Sequence, residues 1–133
     1  MNERELLKEA LRARERSYCP YSGYAVGAAL LTKDQRVICG CNVENASYTP
    51  TICAERCAIF KAVSEGITEF EAIAIAGGPK GEAPTAYAYP CGVCRQVMSE
   101  FCDAGTFRII VGTGEEDLKS YTLEELLPHS FGK

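Results

Sequence analysis

Two cysteine-containing motifs constrain the fold of this chain more than any other feature. In the first, Cys53 stands two residues before Glu55; in the second, Pro90 leads into a Cys-x-x-Cys motif made by Cys91 and Cys94. Three thiolates can hold one zinc ion and leave its fourth tetrahedral position free. Because zinc–sulfur bonds are only about 2.3 Å long, a fold that uses all three cysteines must bring the two motifs together.

Both motifs fall at predicted helix starts, where a metal-binding thiolate is favoured. The residue pattern predicts helices over residues 53–65 and 91–102. Unpaired backbone N–H groups and the helix dipole favour negative charge at such ends and lower the pKa of a thiol. Glu55 would then lie beside the free position of the metal, where water loses a proton. The motifs therefore predict a catalytic zinc site in which Glu55 carries that proton.

The order of predicted elements indicates an α/β fold. Apolar runs over 25–32 and 70–76 are typical of strands that are covered on both faces. The remaining predicted elements are a helix over 3–17, strands over 37–43, 107–112 and 118–121, and a short helix after Thr122; residues 77–89 are predicted as a loop. Strand–helix–strand crossovers imply parallel strands. We therefore predict one domain over residues 1–133, a three-layer α-β-α sandwich with a mixed five-stranded sheet.

Charge and composition exclude several classes of partner. The net charge of −4 argues against a nucleic-acid polymer, which is usually bound by a basic patch. The longest apolar run, 25–31, is too short to cross a membrane, and the charged N-terminus does not resemble a signal peptide. A cytoplasmic location is therefore expected. Without an export signal, the eight cysteines are better explained by metal ligation and free thiols than by disulfides.

Two other interpretations of the cysteines remain open from sequence alone. Cys57 lies four residues after Cys53 and could complete a closed, purely structural four-cysteine zinc site. Cys91 and Cys94 could instead form a redox pair at a helix start. Both alternatives leave Glu55 without a role. A non-enzymatic zinc-binding module is the corresponding hypothesis for function.

Arg56 is the predicted source of charge compensation at the metal. Three thiolates and one Zn²⁺ carry a net charge of about −1, which weakens the metal as an acid toward water. Arg56 lies three residues after Cys53, one helical turn away. Its guanidinium could donate hydrogen bonds to the ligand sulfurs and offset the charge.

Over nearly its whole length the chain resembles the small homotetrameric cytidine deaminases. The zinc pattern itself is shared by several zinc-dependent nucleoside and nucleobase deaminases. The resemblance is carried by residues 20–22, 26–30, 40–46, 53–56, 90–96 and 124–128. It implies a cytidine deaminase-like fold with one Zn²⁺ per subunit. It also implies hydrolytic deamination of cytidine and 2′-deoxycytidine, in pyrimidine salvage, with Glu55 moving protons to N3 and to the leaving amine.

The resemblance further implies a set of substrate contacts. Residues matching Asn42 and Glu44 hydrogen-bond the ribose 3′-hydroxyl, which favours a free nucleoside over a polymer. Tyr24 matches a base-stacking position that is usually Phe, and the backbone around Ala54 would meet the base edge. Residues matching Ala46, Tyr48 and Phe131 reach the site of a neighbouring subunit, so the resemblance implies a homotetramer with shared sites. The competing substrate is blasticidin S, a cytosine-nucleoside antibiotic.

Overall fold

A mixed five-stranded sheet forms the middle layer of the protein, whose computed structural model describes residues 1–132. The strands are β1 Tyr24–Thr32, β2 Val37–Cys41, β3 Phe70–Pro79, β4 Arg108–Gly114 and β5 Asp117–Thr122. Their order across the sheet is β2-β1-β3-β4-β5. The central pair β3 and β4 is parallel, whereas the other neighbouring pairs are antiparallel.

Four helices flank this sheet. They are α1 Glu3–Ala13, α2 Ala54–Ser64, α3 Gly92–Phe101 and α4 Leu123–Leu126, with a 3-10 turn over Arg14–Arg16. Capping boxes begin the first and last helices: Asn2 pairs with Glu5, and Thr122 pairs with Glu125. None of the helices in residues 1–132 has both the length and the apolar character that a membrane crossing requires.

Alternation along the strands builds two separate cores. On β3, Ile73 and Ile75 point to the face covered by α2 and α3, whereas Ala72, Ala74 and Ala76 point to the face covered by α1. Strand residues are therefore buried on both faces, as the continuous apolar runs predicted. The predicted three-layer α-β-α sandwich with a mixed five-stranded sheet is confirmed.

The structure differs from the predicted elements mainly at their ends. The first α-helix ends at Ala13 rather than near residue 17, because the buried Arg14 turns inward and donates to the backbone carbonyls of Ala25, Pro79 and Glu82. The second strand ends at Cys41 instead of residue 43. These helix and strand ends depend on contacts between segments that are distant in sequence.

The predicted loop over 77–89 is wrong in its first three residues, since β3 continues to Pro79. Gly77 and Gly78 look like strand breakers, yet they pair with β1. A Cβ atom on Gly77 would lie 3.0 Å from both the Tyr24 ring and the Ala88 side chain. Glycine here lets Tyr24 pack closely over the strand, which shapes one wall of the cavity described below.

Candidate active site

The two cysteine motifs meet on the α2 and α3 face of the sheet. Cys53 is the N-cap residue of α2 and Cys91 is the N-cap residue of α3. The Sγ atoms of Cys53 and Cys91 are 3.8 Å apart, and those of Cys91 and Cys94 are 3.5 Å apart. All three sulfur atoms lie within 4.8 Å of one another. The fold thus brings together the three predicted ligands, although the chain separates the two motifs by a complete strand and a long loop.

This geometry fits a tetrahedral zinc ion. Four ligands at about 2.3 Å from a tetrahedral metal lie about 3.8 Å from one another. Within residues 1–132, Cys53, Cys91 and Cys94 form the one metal-compatible group of His, Cys, Asp or Glu side chains. Cys57 does not join this group and lines a different cavity. The closed four-cysteine alternative therefore finds no support in the structure, and one coordination position remains for water or substrate.

Hydrogen bonds from Cys94 and Arg56 stabilise negative charge on the Cys53 sulfur atom, whereas the same bond to Cys53 raises the pKa of the Cys94 thiol. The Arg56 guanidinium donates to Cys53 Sγ at 3.5 Å, the contact that sequence reasoning anticipated. The pKa of the Cys53 thiol is lowered to about 5, chiefly because the Cys94 thiol donates a hydrogen bond to it, and Arg56 adds to this effect. In return, the neighbouring thiolate raises the pKa of Arg56, so the guanidinium remains charged. The Arg56 Nε atom is buried without a hydrogen-bond partner.

Glu55 lies in the first turn of α2 and is buried, with 3% of its surface exposed. Burial raises the pKa of its carboxyl group to about 7. A carboxyl group with a pKa near the working pH can both accept and donate a proton. The same side chain borders the cavity that Cys53 and Cys91 line. Position and pKa are therefore those of a general acid–base group beside the metal ligands.

The cavity has a volume of about 500 Å³, which suits a small organic molecule. Cys53, Ala54, Glu55 and Cys91 line it at the metal ligands, and Ser22, Asn42 and Glu44 line it elsewhere. The remaining lining residues are Tyr24, Val26, Thr51, Ile52, Ile75, Ala88 and Tyr89. Five residues singled out from sequence, namely Tyr24, Asn42, Glu44, Ala54 and Glu55, thus share one cavity with two of the three predicted ligands.

Asn42 and Glu44 are held rigidly by the chain itself. Asn42 Oδ1 accepts from Val26 N and Asn42 Nδ2 donates to the Tyr24 carbonyl, both at 2.9 Å. Glu44 Oε1 accepts from Tyr21 N and Ser22 N at 3.0 Å each, and Glu44 Oε2 accepts from the Ser22 hydroxyl. These bonds lower the pKa of Glu44, so it remains a carboxylate. Each side chain keeps unused hydrogen-bonding capacity for a hydroxyl-bearing ligand.

Three predicted substrate contacts lie outside the cavity of this chain. Ala46, Tyr48 and Phe131 are exposed, with Tyr48 95% and Phe131 79% accessible, and none of them lines the cavity. The resemblance assigned these residues to the site of a neighbouring subunit. Their surface positions within one chain are compatible with that role, which stays a prediction.

Seven residues of the cavity wall are not among the predicted site residues, and Ser22 and Tyr89 are two of them. Ser22 donates to Glu44 and lies in the stretch 20–22 that carries the resemblance, but the resemblance assigned it no substrate contact. Tyr89 is 44% exposed and lines the cavity. Its place directly before Pro90 and the Cys91 ligand was the signal available in the sequence.

Three convergent thiols at two helix starts, beside a buried carboxylic acid in an α-β-α sandwich, define the class of zinc-dependent hydrolytic deaminases. The family model of the cytidine and deoxycytidylate deaminase zinc-binding region matches residues 1–113. The chain belongs to this family of enzymes. Zinc is accordingly the cofactor, and Cys53, Cys91 and Cys94 form a cluster that could hold it.

Two relatives that match nearly the whole chain are cytidine deaminases, and a third, which matches less of it, is a blasticidin-S deaminase. A cytidine deaminase from Halalkalibacterium halodurans is 50% identical over 131 residues, which are 98% of this chain and 95% of the relative. The crystal structure of a cytidine deaminase from Burkholderia pseudomallei has a TM-score of 0.88 and 42% identity, covering 98% of this chain and 100% of that one. A blasticidin-S deaminase from Bacillus cereus is 34% identical over 106 residues, which are 77% of this chain and 74% of the relative.

Proposed function

We propose that this protein hydrolytically deaminates cytidine and 2′-deoxycytidine to uridine and 2′-deoxyuridine, with release of ammonia. The observation that carries the proposal is the convergence of Cys53, Cys91 and Cys94 beside the buried Glu55 in one cavity of nucleoside size. Full-length relatives that are named cytidine deaminase support the same substrate class. The acidic net charge of −4 supports a small substrate over a nucleic-acid polymer.

Glu55 performs the proton transfers in this proposal. A bound Zn²⁺ supplies a Lewis acid that lets water lose a proton near neutral pH. The Glu55 carboxylate accepts that proton and delivers it to N3 of cytosine, so that C4 becomes electrophilic. The hydroxide left by the water then forms a bond to C4. Glu55 takes the proton of the new C4 hydroxyl group and gives it to the amine, so that the C4–N bond breaks, the C4 carbonyl forms and ammonia leaves. Water and cytidine are thereby converted into uridine and ammonia, with Glu55 returned to its starting state.

The helix ends favour thiolates at the metal ligands, and Arg56 offsets part of their negative charge. The Arg56 guanidinium donates to Cys53 Sγ and so withdraws charge from a ligand sulfur. We assign Arg56 to charge compensation, as a positioning residue that does not touch the substrate. Less negative sulfur atoms make the metal a stronger acid toward water.

The remaining cavity residues bind the nucleoside. Asn42 and Glu44 present a fixed amide and a fixed carboxylate to the ribose 3′-hydroxyl. Tyr24 supplies a ring for stacking on the base, and its hydroxyl remains free to meet water. The backbone around the fully buried Ala54 meets the edge of the base.

Completion of the site by neighbouring subunits is part of the same proposal. Ala46, Tyr48 and Phe131 are exposed on this chain and would each enter the pocket of another copy in a homotetramer. Gln96 Nε2 donates to the Phe131 carbonyl at 3.3 Å, which ties the C-terminal segment to α3. We further propose a cytoplasmic enzyme of pyrimidine salvage, a setting in which eight free cysteines are stable.

An ultraviolet assay of cytidine loss on zinc-loaded protein, with ammonia measured in parallel, tests the function. We expect turnover of cytidine and 2′-deoxycytidine, one zinc per chain by metal analysis, and loss of both metal and turnover after chelation. Blasticidin S is assayed beside them, because the relative from Bacillus cereus is named for it. Faster turnover of blasticidin S than of either nucleoside would contradict the substrate assignment. Zinc binding without ammonia release from any of these compounds would contradict the enzymatic role.

A further inference from the structure

Two rows of polar and aromatic side chains meet beside the cavity. One row, Tyr87 and Tyr89, lies on the segment that leads into the second cysteine motif. The other row, Asp117, Lys119 and Tyr121, consists of alternate residues of β5. Alternate residues of a strand share one face of its sheet. Since Tyr121 is paired with the core residue of β4 that faces α2 and α3, this row lies on the same face as the active site.

The two rows are joined by hydrogen bonds and ring contacts. The hydroxyl oxygens of Tyr89 and Tyr121 are 3.0 Å apart, and their rings meet edge to face with centroids 5.8 Å apart. The Tyr87 hydroxyl donates to Asp117, and its ring lies 6.3 Å from that of Tyr89 at 79°. The Lys119 ammonium lies 5.8 Å from the centroid of the Tyr87 ring. The Tyr89 ring is therefore held by an aromatic neighbour on each side and by its own hydroxyl.

Tyr89 has no part in the chemistry assigned above, yet it forms part of the cavity wall. It lies two residues before Cys91, so the Cα atoms of these two residues are at most about 7 Å apart. Tyr89 thus borders the end of the cavity that holds Cys91, where the proposed function places the reacting base. Its 44% exposure shows that the ring is not simply core packing.

We propose that Tyr89 determines which substituents on the cytosine ring the site accepts, and that Tyr121 is the positioning residue that fixes the Tyr89 ring. The inference rests on the proposed function and deepens it. A rigid ring at the base end rejects added volume, because a fixed wall cannot move aside for a methyl group. If the Tyr89 ring were free to rotate, the same methyl group would be accommodated.

The test compares kcat/KM for 5-methylcytidine with kcat/KM for cytidine in the zinc-loaded protein. We expect Tyr89→Ala to raise this ratio by about tenfold or more, the usual value of one methyl group in an apolar pocket. Tyr89→Phe and Tyr121→Phe each remove one of the two hydroxyl groups and so break the same hydrogen bond. Each variant should raise the ratio by about two- to fivefold. The double variant should show no further increase, because both changes break one interaction.

Two controls separate selectivity from general damage. Tyr18→Phe removes a tyrosine hydroxyl from an exposed residue outside the cavity and should leave the ratio unchanged. The ratio of 2′-deoxycytidine to cytidine should stay constant in every variant, since the wall borders the base. A purely structural role of Tyr89 would lower kcat/KM for all substrates by one common factor and leave both ratios unchanged.

The possible outcomes are distinct. Normal turnover of cytidine with an unchanged 5-methylcytidine ratio in Tyr89→Phe, Tyr121→Phe and Tyr89→Ala overturns this inference alone. Additive effects of the two Phe variants, or a shift in the deoxycytidine ratio instead, overturn it as well. No cytidine turnover by the wild-type protein overturns the proposed function, and the inference with it. If Tyr89→Ala fails to fold, the two Phe variants, which keep ring and volume, still decide the question.

Discussion

The protein contains two groups of three cysteines, and only one of them is arranged for a metal. The first group is Cys53, Cys91 and Cys94, whose sulfur atoms lie within 4.8 Å of one another. The second group is Cys39, Cys41 and Cys57, which line a cavity of about 390 Å³ at the β2 edge of the sheet. Glutamate side chains line both cavities, arginine side chains line the second cavity, and another arginine contacts Cys53 of the first group. Residue type alone therefore does not distinguish them.

Position in the secondary structure explains the difference. Two of the first group are N-cap residues of helices, where unpaired N–H groups favour a thiolate. In the second group, Cys39 and Cys41 lie within β2, where burial raises the pKa of each thiol. Lys61 of the second cavity donates to the Cys39 carbonyl at 2.6 Å rather than to a sulfur atom. A raised thiol pKa also occurs in the first group, at Cys94, so the feature that distinguishes the first group is the convergence of two helix starts.

Removal of one cysteine from each group tests the difference between the two groups most directly. Cys94→Ser should abolish zinc binding and bring deamination below detection, because a three-ligand site loses an irreplaceable thiolate. Cys57→Ser should retain one zinc per chain and near wild-type turnover, with the free energy of unfolding changed by about 1 kcal/mol or less. Metal analysis and the ultraviolet assay check both variants. Loss of zinc in Cys57→Ser would show that the two groups are not independent.

Substitution of one carboxylate in each cavity should affect turnover almost as unequally as substitution of the cysteines. Glu55→Gln should keep zinc and lower kcat by about 10³-fold, because the amide cannot transfer protons. The matched change in the second cavity, Glu9→Gln, removes an exposed ion pair with Arg12 and should leave kcat within about twofold. Steady-state kinetics with parallel zinc determination test this prediction. Near-normal turnover by Glu55→Gln would refute the assigned proton transfers.

Substitution of one arginine near each group of cysteines should produce a smaller difference in kcat. Arg56→Ala should retain most of the zinc and lower kcat by about 10- to 100-fold, the usual range when a hydrogen-bonding partner of a metal ligand is removed. Arg16→Ala, in the second cavity, serves as the matched control and should leave kcat unchanged. The two variants are compared at saturating cytidine. Equal rates for both would mean that charge at the ligand sulfurs does not limit the reaction.

The last prediction concerns the chemical reactivity of thiols outside the metal site and no change in turnover. Burial raises the pKa of Cys102 to about 12 and also raises that of Cys39 and Cys41. A raised pKa means less thiolate at a given pH, so alkylation of Cys102 at pH 8 should be at least about 100-fold slower than that of an unperturbed thiol. The rate should then rise about tenfold per pH unit up to pH 11. Mass spectrometry of zinc-loaded protein that has been treated with iodoacetamide measures each site, and rapid labelling of Cys102 at pH 8 would contradict the prediction.

Local rules correctly predicted much of the fold. The first helix and the short helix after Thr122 begin where they were predicted, each with a capping box at its start. The strands that are buried on both faces were predicted from apolar runs. The end of the first α-helix and the true length of β3 did not follow. The first depends on Arg14 bonding to carbonyls far along the chain, and the second on Gly77 fitting beneath Tyr24.

Some features of the candidate site were likewise predictable from the sequence, whereas others depend on the tertiary structure. The spacing of Cys53, Glu55, Cys91 and Cys94 predicts both the metal and an acid–base group, because ligand chemistry and helix starts are local properties of a sequence. The structure brings these four residues together, and the role of Glu55 stays a prediction. The tertiary structure alone decided that Cys57 stays outside the metal group and that Tyr89 forms part of the cavity wall. Both outcomes depend on how the sheet sets the two helices and β5 against each other, and no spacing within a single segment encodes that arrangement.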